Sequence, residues 1–310
     1  MKTKLFVGVD VSKDSLDVAF GAQKDIITFA NNQNGVDSLV KRLSRHDVQL
    51  IVFESTGGYE LLAASCLAEA ELPVVIVNPR QVRNFAKATG ILAKADAIDA
   101  RVIGRFAEAV KPEVRPLKDH QTSELSALVA RRRQIIEMIV AERNRLKLAN
   151  KRNKKDIKDH IRWLQKRLDK MESDIGKMIQ SSPIWRCKDD ILQSVPGIGP
   201  VTSASLICDL PELGVLSPKK IAMLAGLAPL NCDSGKYKGR RRIWGGRGSV
   251  RSGLYMATMA AIRCNPAIKG FYQRLIAAGK CHKVAATACM RKLLIIVNAM
   301  LRDQTLWQQN

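Results

Sequence analysis

The first 110 residues alternate between short apolar runs and stretches of helical spacing. Residues 4–10 predict a buried strand, and two more short strands are predicted at about 15–20 and 25–30, with turn residues between them. The elements predicted after these are a helix near 35–45, a strand over 50–54, a helix at about 58–71, a strand over 73–77, and helices at about 79–88 and 95–109. This part of the chain is therefore predicted to be an α/β domain.

The order of these elements predicts the fold of that domain. Three strands followed by helix, strand, helix, strand and helix is the order of the RNase H-like α/β fold. In that fold, strands 1 and 4 are neighbours in the sheet. Residues that end these two strands are therefore expected to lie side by side.

The middle of the chain is predicted to be helical. Pro112 and Pro116 end the first region, and from about 120 to 181 there is no proline and one glycine. Apolar residues with 4-3-4-3-4-3 spacing predict a coiled-coil seam: Ile157, Ile161, Leu164, Leu168, Met171, Ile175 and Met178. An earlier seam is interrupted by Arg132 and Glu142. We predict two long helices that meet in a basic region, with the seam packing either within the chain or against a second copy.

The last third of the chain is predicted to be mainly α. Pro183 closes the middle region, and Val195-Pro196-Gly197-Ile198-Gly199-Pro200 lies between apolar helical stretches. This pattern resembles a helix-hairpin-helix, in which glycine amides at a helix start contact DNA phosphates, and a plain helix–helix turn has the same pattern. We predict three domains, over 1–112, 113–182 and 183–310.

Composition narrows the class of protein. Hydrophobic residues make up 46% of the 310, which predicts a folded chain, and no window approaches 18 apolar residues without charge. The start of the chain shows no signal-peptide pattern, and the seven cysteines include no C-x-x-C pair. We therefore expect a cytoplasmic protein with no membrane partner and no zinc or disulfide framework.

The charge is distributed unevenly along the chain. Residues 1–110 hold 13 basic and 13 acidic side chains, whereas residues 111–310 hold 38 basic and 16 acidic ones, which accounts for the whole net charge of +22. A neutral first part and a strongly basic remainder indicate a polyanionic partner held by the second part. Nucleic acid is the expected partner.

Four carboxylates are candidates for a metal site. Asp10 ends the first predicted strand and Glu54 ends the fourth, while Asp96 and Asp99 share one face of a helix. Carboxylates that converge repel each other unless a cation lies between them, and hard oxygen ligands favour Mg²⁺ or Mn²⁺. The alternatives without metal binding are that Asp10 is a turn residue and that the Asp-x-x-Asp pair lies on a solvated helix face. Glu60 is a possible substitute ligand within the following helix.

A glycine-rich basic segment contains the candidate nucleophile. Ser234 lies next to Gly235, no histidine is near it, and interleaved Tyr237 and Trp244 are candidates for stacking on bases. A serine in such a segment is more often a turn former than a nucleophile. The residues predicted to contact nucleic acid are Lys236, Lys238, Arg240, Arg241, Arg242, Arg247 and Arg251 here, Gly197 and Gly199 in the hairpin, and Lys151, Arg152, Lys154 and Lys155 in the basic region between the two long helices.

Nearly the full length of the chain resembles the DEDD transposases of bacterial insertion sequences, the one-ten family, which includes a pilin-gene invertase. The matching strings, in chain order, are Gly8-Val9-Asp10-Val11-Ser12-Lys13, Glu54-Ser55-Thr56-Gly57-Gly58-Tyr59, Asp96-Ala97-Ile98-Asp99-Ala100, Pro196-Gly197-Ile198-Gly199, Gly226-Leu227-Ala228-Pro229, Ser234-Gly235, and Arg251 with Leu254-Tyr255-Met256. Their joint order makes the resemblance specific.

The resemblance implies a RuvC-like domain in which Asp10, Glu54, Asp96 and Asp99 bind Mg²⁺, and a basic transposase domain that supplies a serine nucleophile. By position in the motif that serine is Ser234, with Ser249 and Ser252 as the fallbacks. It further implies donor and target DNA as substrates, a structured guide (bridge) RNA as a partner, a location at the nucleoid in the bacterial cytoplasm, and a homo-oligomer, a dimer or tetramer, in which two subunits share one active site.

The expected function is a transposase or site-specific recombinase that works by Mg²⁺-assisted transesterification. The main alternative is a RuvC-like Holliday-junction nuclease that keeps the metal site and hydrolyses DNA with water. A sugar-kinase or actin-like ATPase also opens with a Gly-x-Asp-x-Ser-Lys pattern. This chain lacks the second glycine-rich phosphate strand of that fold, and the fold would leave the basic half of the chain unexplained. A catalytically silent nucleic-acid-binding protein is the fourth reading. The chain has no G-x-x-x-x-G-K-[ST] string.

Overall fold

The computed structural model describes residues 5–21, 26–91, 96–114, 119–235, 237–239 and 241–308. The chain divides into two compact units, Met1–Leu117 and Lys118–Asn310. Each unit has its own core, and each is described by itself below.

Unit 1 is a mixed α/β unit built on a five-stranded sheet. Its strands are β1 (Leu5–Val11), β2 (Ser15–Phe20), β3 (Ile26–Ala30), β4 (Val48–Glu54) and β5 (Val74–Val77). Its helices are α1 (Gln33–Leu43), α2 (Leu61–Glu69), α3 (Pro79–Ala88) and α4 (Asp96–Val110). The sheet order is β3-β2-β1-β4-β5, with β1, β2 and β3 antiparallel in turn and β4 parallel to both β1 and β5. The predicted neighbourhood of strands 1 and 4 is confirmed.

Helices cover both faces of the sheet. Successive residues of each strand pack against opposite faces, so each face carries its own apolar cluster. Val9 and Phe53 belong to a cluster with Leu39 of α1 and Leu67 of α2 on one face. The opposite face carries a second cluster, in which Val52 packs with residues of α3 and α4. Side chains one residue apart on a strand point to opposite faces, so this assignment fixes the face of every strand residue.

Unit 2 begins with an antiparallel hairpin of two long helices, α5 (His120–Leu148) and α6 (Lys151–Ser181). Arg132 of α5 forms an ion pair with Glu172 of α6 at 2.5 Å. Glu142, ten residues later in α5, lies 3.3 Å from His160, which is twelve residues earlier in α6 than Glu172. The two helices therefore run in opposite directions. The buried seam of α6 packs against apolar residues of α5 in a cluster of Ile135, Ile139, Leu164 and Leu168. The predicted seam therefore packs within the chain.

The rest of unit 2 consists of six helices around one core and a small β-ribbon. These elements are α7 (Pro183–Gln193), α8 (Pro200–Asp209), α9 (Pro218–Leu224), β6 (Pro229–Leu230), β7 (Asp233–Ser234), β8 (Tyr237–Lys238), β9 (Arg242–Ile243), α10 (Gly248–Cys264), α11 (Pro266–Ala277) and α12 (His282–Asp303). The core includes Leu125 of α5 and Ile175 of α6, so the hairpin packs on the same core as the helices that follow. The prediction of a mainly helical C-terminal region is confirmed.

The helix α12 is a core helix of this unit. In the described part of the chain it is the one helix long and apolar enough to span a membrane by length and composition. Slightly more than half of its apolar window is buried, and residues such as Leu293 and Leu294 are fully buried. Its apolar composition is accounted for by packing.

Candidate active site

Asp10 and Glu54 lie side by side at the ends of adjacent parallel strands. Val9 of β1 is opposite Phe53 of β4 in the register, so the next residue of each strand is one of the two carboxylates. Both side chains are partly buried. The sheet thus brings together two of the four predicted metal ligands.

Both carboxylates are on the face of the sheet that α4 covers. Asp10 shares its face with Gly8 and Glu54 shares its face with Val52, because these residues are two apart on a strand. A Cβ built on Gly8 would lie 2.8 Å from the Cα of Gly104 and closer still to the backbone of Ala100, so α4 touches the backbone of β1. The absence of a side chain at Gly8 lets the helix approach this closely.

The direction of α4 places its first turn near Asp10. The Nζ of Lys111, just after the helix, is 5.8 Å from the ring centroid of Phe6 at the start of β1. The helix therefore runs antiparallel to β1, and its beginning lies toward the strand end that carries Asp10. Asp99 is partly buried in this first turn. Asp96 is the first residue of α4, and its side chain lies outside the described part of the structure.

A further carboxylate that sequence reasoning missed lies on the same face. Asp17 of β2 is directly opposite Asp10 in the antiparallel register, and its Oδ1 accepts a hydrogen bond from Thr28 Oγ1 at 2.6 Å. The alternation of buried Leu16 and Val18 around it was the signal that could have identified its face.

The chemistry of this region fits a hard cation. Carboxylate oxygens are the ligands that Mg²⁺ and Mn²⁺ prefer. Among the described side chains, which do not include that of Asp96, no three acidic, histidine or cysteine residues form a group that could hold an ion.

Glu60 has a structural role in the loop that follows Glu54. It is 4% exposed, and its Oε2 accepts hydrogen bonds from the backbone amides of Thr56 at 3.1 Å and Gly58 at 2.9 Å. Its Oε1 is 3.3 Å from Ser55 Oγ. These contacts occupy both oxygens and hold the turn after β4, so Glu60 has a structural role in this loop.

The segment around Ser234 is a β-ribbon. Pro229 and Leu230 pair with Ile243 and Arg242 at its base, and Ser234 pairs with Tyr237 further along. Gly235 follows with a φ of +55°, in the left-handed region, and the space around its Cβ position is open. Ser234 is exposed.

The basic residues of the ribbon differ in what they do. Arg241 and Arg242 are exposed. Arg247, in contrast, forms a two-pronged ion pair with Glu212, with Nη2 2.6 Å from Oε1, and also donates to the carbonyl of Asp209. Arg251 donates to the carbonyl of Gly245 at 2.6 Å. These contacts give Arg247 and Arg251 internal partners at the base of the ribbon.

Three predicted contact residues of the ribbon lie wholly or partly outside the described structure. Lys236 and Arg240 lie outside the described residues. Lys238 belongs to β8, and its side chain also lies outside the described part.

The basic region between the two long helices forms the tip of the hairpin. Asn150 caps α6 by accepting a hydrogen bond from the amide of Asn153 at 3.0 Å. The four predicted contact residues all lie in the first turns of this helix and are exposed: Lys151, Arg152, Lys154 and Lys155.

The glycines of the predicted helix-hairpin-helix have different environments. Gly197 has a φ of +104°, and a Cβ there would lie 2.6 Å from the Cβ of Ala261 in α10, so packing accounts for this glycine. Gly199 is exposed at the start of α8, with open space around its Cβ position. The turn joins α7 and α8, which are also linked by a hydrogen bond from Ser203 Oγ to Asp189 Oδ1 at 2.5 Å.

Comparison with known proteins gives consistent matches over both units. Residues 7–149 match an IS110-type DEDD family model described as a transposase, and residues 189–273 match the transposase IS116/IS110/IS902 family. The pilin gene-inverting protein of Moraxella bovis is 29% identical over 311 residues, which cover 97% of each chain. An uncharacterized 43.6 kDa protein of insertion element IS110 from Streptomyces coelicolor is 29% identical over 141 residues, 44% of this chain and 34% of the relative.

Proposed function

Since the chain belongs to the IS110 family of transposases, and so to the enzymes that rearrange DNA, we propose that it cuts and rejoins DNA by transesterification with Ser234 as the nucleophile. The observation that carries this proposal is the pairing of β1 with β4, which brings Asp10 beside Glu54 beneath the start of α4. The strand order β3-β2-β1-β4-β5 supports an RNase H-like assignment for unit 1.

In the proposed reaction, Ser234 Oγ attacks the scissile phosphorus. A bond from Oγ to phosphorus forms, the bond from phosphorus to the oxygen of one strand end breaks, and that oxygen leaves as a hydroxyl after taking a proton. The serine proton passes to a carboxylate, for which Asp233 is the neighbour in sequence. The phosphoserine link conserves the energy of the phosphodiester, so a second strand hydroxyl can reverse the step and rejoin DNA without ATP.

We propose Asp10, Glu54, Asp96 and Asp99 as the ligands of Mg²⁺ or Mn²⁺. When bound, such an ion supplies Lewis-acid polarisation of the scissile phosphate and neutralises charge on the leaving oxygen. The carboxylates of Asp10, Glu54 and Asp99 are partly buried, and the loop held by the hydrogen bonds of Glu60 follows Glu54 directly at the end of β4.

The nucleic-acid partners are also part of the proposal. We propose that donor and target DNA contact the exposed Arg241 and Arg242 of the ribbon, and that the hairpin tip around Lys151 contacts a second nucleic-acid segment. A structured guide RNA and assembly as a dimer or tetramer are further proposals, which the basic half of the chain supports through its charge.

The test uses the full chain, Mg²⁺, and labelled donor and target DNA with the RNA encoded beside the element. Products are separated on a denaturing protein gel for the wild type, Ser234→Ala and Asp10→Asn. Ser249→Ala, which removes the fallback serine in the first turn of α10, is the control that separates the two candidate nucleophiles. We expect a DNA-labelled protein band in the wild type and the control, and none in the other two variants.

The second candidate function, hydrolysis by a RuvC-like nuclease, is favoured by the carboxylate pair alone, which does not require the serine. It predicts Mg²⁺-dependent cleavage without any covalent band and without an effect of Ser234→Ala. That result would contradict the serine mechanism and leave the metal site in place.

A further inference from the structure

We propose that unit 2 contains a pocket for one unstacked nucleotide of a single-stranded nucleic acid, between the base of the serine ribbon and the helices α11 and α12. The cavity has a volume of about 940 Å³. This is within the size range of sites that enclose small organic ligands, about 300–1,000 Å³. The inference rests on the proposed function, because it assigns a partner to the same unit that carries Ser234.

The walls of the pocket come from two parts of the unit. One wall is the β6–β9 pair, through Pro229 and Ile243, which forms the base of the ribbon. The other wall is the face of α12 with Thr287 and Ile295, and Phe271 of α11 closes one side. A nucleotide held here would belong to a nucleic-acid strand that passes along the ribbon.

The charge of the lining points to an anion. The cationic residues of the lining are Arg241, Arg242, Lys283, Arg291 and Lys292, and among the described residues no acidic side chain lines the pocket. In addition, the Nε of Arg291 is buried and has no hydrogen-bond partner within the described part of the chain. A buried donor without a partner is costly, so an acceptor oxygen of a phosphate is the expected occupant.

The apolar part of the lining favours a nucleotide over a bare phosphate. Phe271, Val284 and Ile296 offer an apolar surface beside the cations. Lys292 Nζ lies 4.7 Å from the ring centroid of Phe271, so the ring and a charge are presented together. Single-stranded nucleic acids are bound by this combination, a cationic track for the backbone and an aromatic or apolar surface for a base.

Two double variants of the full chain test the role of charge. In Lys283→Ala/Lys292→Ala both positive charges lie in the pocket lining, whereas in the control Lys269→Ala/Lys280→Ala both exposed lysines lie outside it. Binding of a fluorescein-labelled 12-nucleotide oligothymidylate is measured by anisotropy in EDTA, at several salt concentrations. We expect the pocket variant to bind about 5- to 20-fold more weakly and to lose about 1.4 from the salt slope, at about 0.7 per phosphate contact. The control should stay within about twofold of the wild type.

A third variant and a cross-link make the result specific to the pocket. Ala288→Trp places a bulky side chain in the cavity without changing charge, and thermal unfolding shows whether each variant is folded. A 4-thiothymidine in the oligonucleotide should cross-link to the α11 or α12 peptides in the wild type, and Ala288→Trp should abolish this cross-link. Cross-links confined to other peptides, equal binding by the two double variants, or equal competition by polyglutamate would each overturn the proposal.

The outcome is separable from that of the serine mechanism. Binding and cross-linking are measured without metal, and Ser234→Ala should bind and cross-link like the wild type. Loss of the covalent DNA band with an intact cross-link contradicts the nucleophile alone. An intact covalent band with no cross-link in the pocket contradicts the nucleotide site alone.

Discussion

The helix α4 lies directly against the backbone of β1 at Gly8, and the substitution Gly8→Ala tests whether this contact positions the carboxylates. The added Cβ would lie 2.8 Å from the Cα of Gly104 and closer still to the amide of Gly104 and the carbonyl of Ala100. All of these are backbone atoms, which cannot move away by a rotamer change. The helix α4 must therefore shift by about 1 Å to reach ordinary contact distances.

The shift has a cost in both stability and activity. Overpacking of this kind costs about 1–3 kcal/mol, which corresponds to a decrease in Tm of roughly 3–12 °C for a unit of this size. Because Asp96 and Asp99 move with α4 while Asp10 stays on β1, the proposed metal ligands lose their relative positions. A misplacement of about 1 Å can reduce a catalysed rate about 100-fold.

The matched control is Gly104→Ala, on the other side of the same contact. Its Cβ would lie 3.5 Å from the Gly8 amide, an ordinary distance, and alanine in place of glycine stabilises a helix by about 0.5–1 kcal/mol. We expect this variant to have an unchanged or higher Tm and normal activity. Thermal unfolding followed by circular dichroism, together with the covalent-band assay, measures both. Equal stability and activity for Gly8→Ala, or equal damage from the two substitutions, would refute the reasoning.

Three further predictions concern buried groups. Glu60→Ala leaves the amides of the loop without their acceptor and should lower the free energy of unfolding by about 1–3 kcal/mol, whereas Glu60→Gln, which keeps one oxygen, should cost less in urea unfolding. Asp189→Ala removes the acceptor of the Ser203 hydroxyl and should cost about 1–3 kcal/mol in the same measurement, and a double variant with Ser203→Ala should lose little more. Burial raises the pKa of the Cys289 thiol, so little thiolate forms near neutral pH, and alkylation should modify the exposed Cys232 long before Cys289; comparable rates in the folded protein would contradict this burial.

The strand and helix order of unit 1 was predictable because the spacing of apolar residues and the turn residues between elements are local features of the sequence. Each predicted strand and helix from Leu5 to Val110 is present, with ends that differ by a few residues. The hairpin of α5 and α6 was also predictable, since its apolar spacing and its basic junction are both visible in the chain. The partner of the seam was not, because the same spacing serves packing within one chain or between two, and the structure shows packing against α5.

The individual roles of charged residues depended on contacts between distant positions. Arg247 and Arg242 look alike in a basic string, yet Arg247 is paired with Glu212, 35 residues earlier, while Arg242 is exposed. The sequence suggested Glu60 as a possible substitute metal ligand, and the structure shows that it accepts hydrogen bonds from the amides of the loop. The position of Asp17 became visible only from the strand register, which places it opposite Asp10.

The sequence by itself determined the elements, the family resemblance and the uneven charge, because these follow from residue type and spacing along the chain. Only the tertiary structure decided which carboxylates share a face, which cations are taken up by internal partners, and where a cationic cavity opens beside the ribbon. The physical reason is that pairing and burial are set by residues far apart in sequence, and their energies exist only once the chain has brought them together.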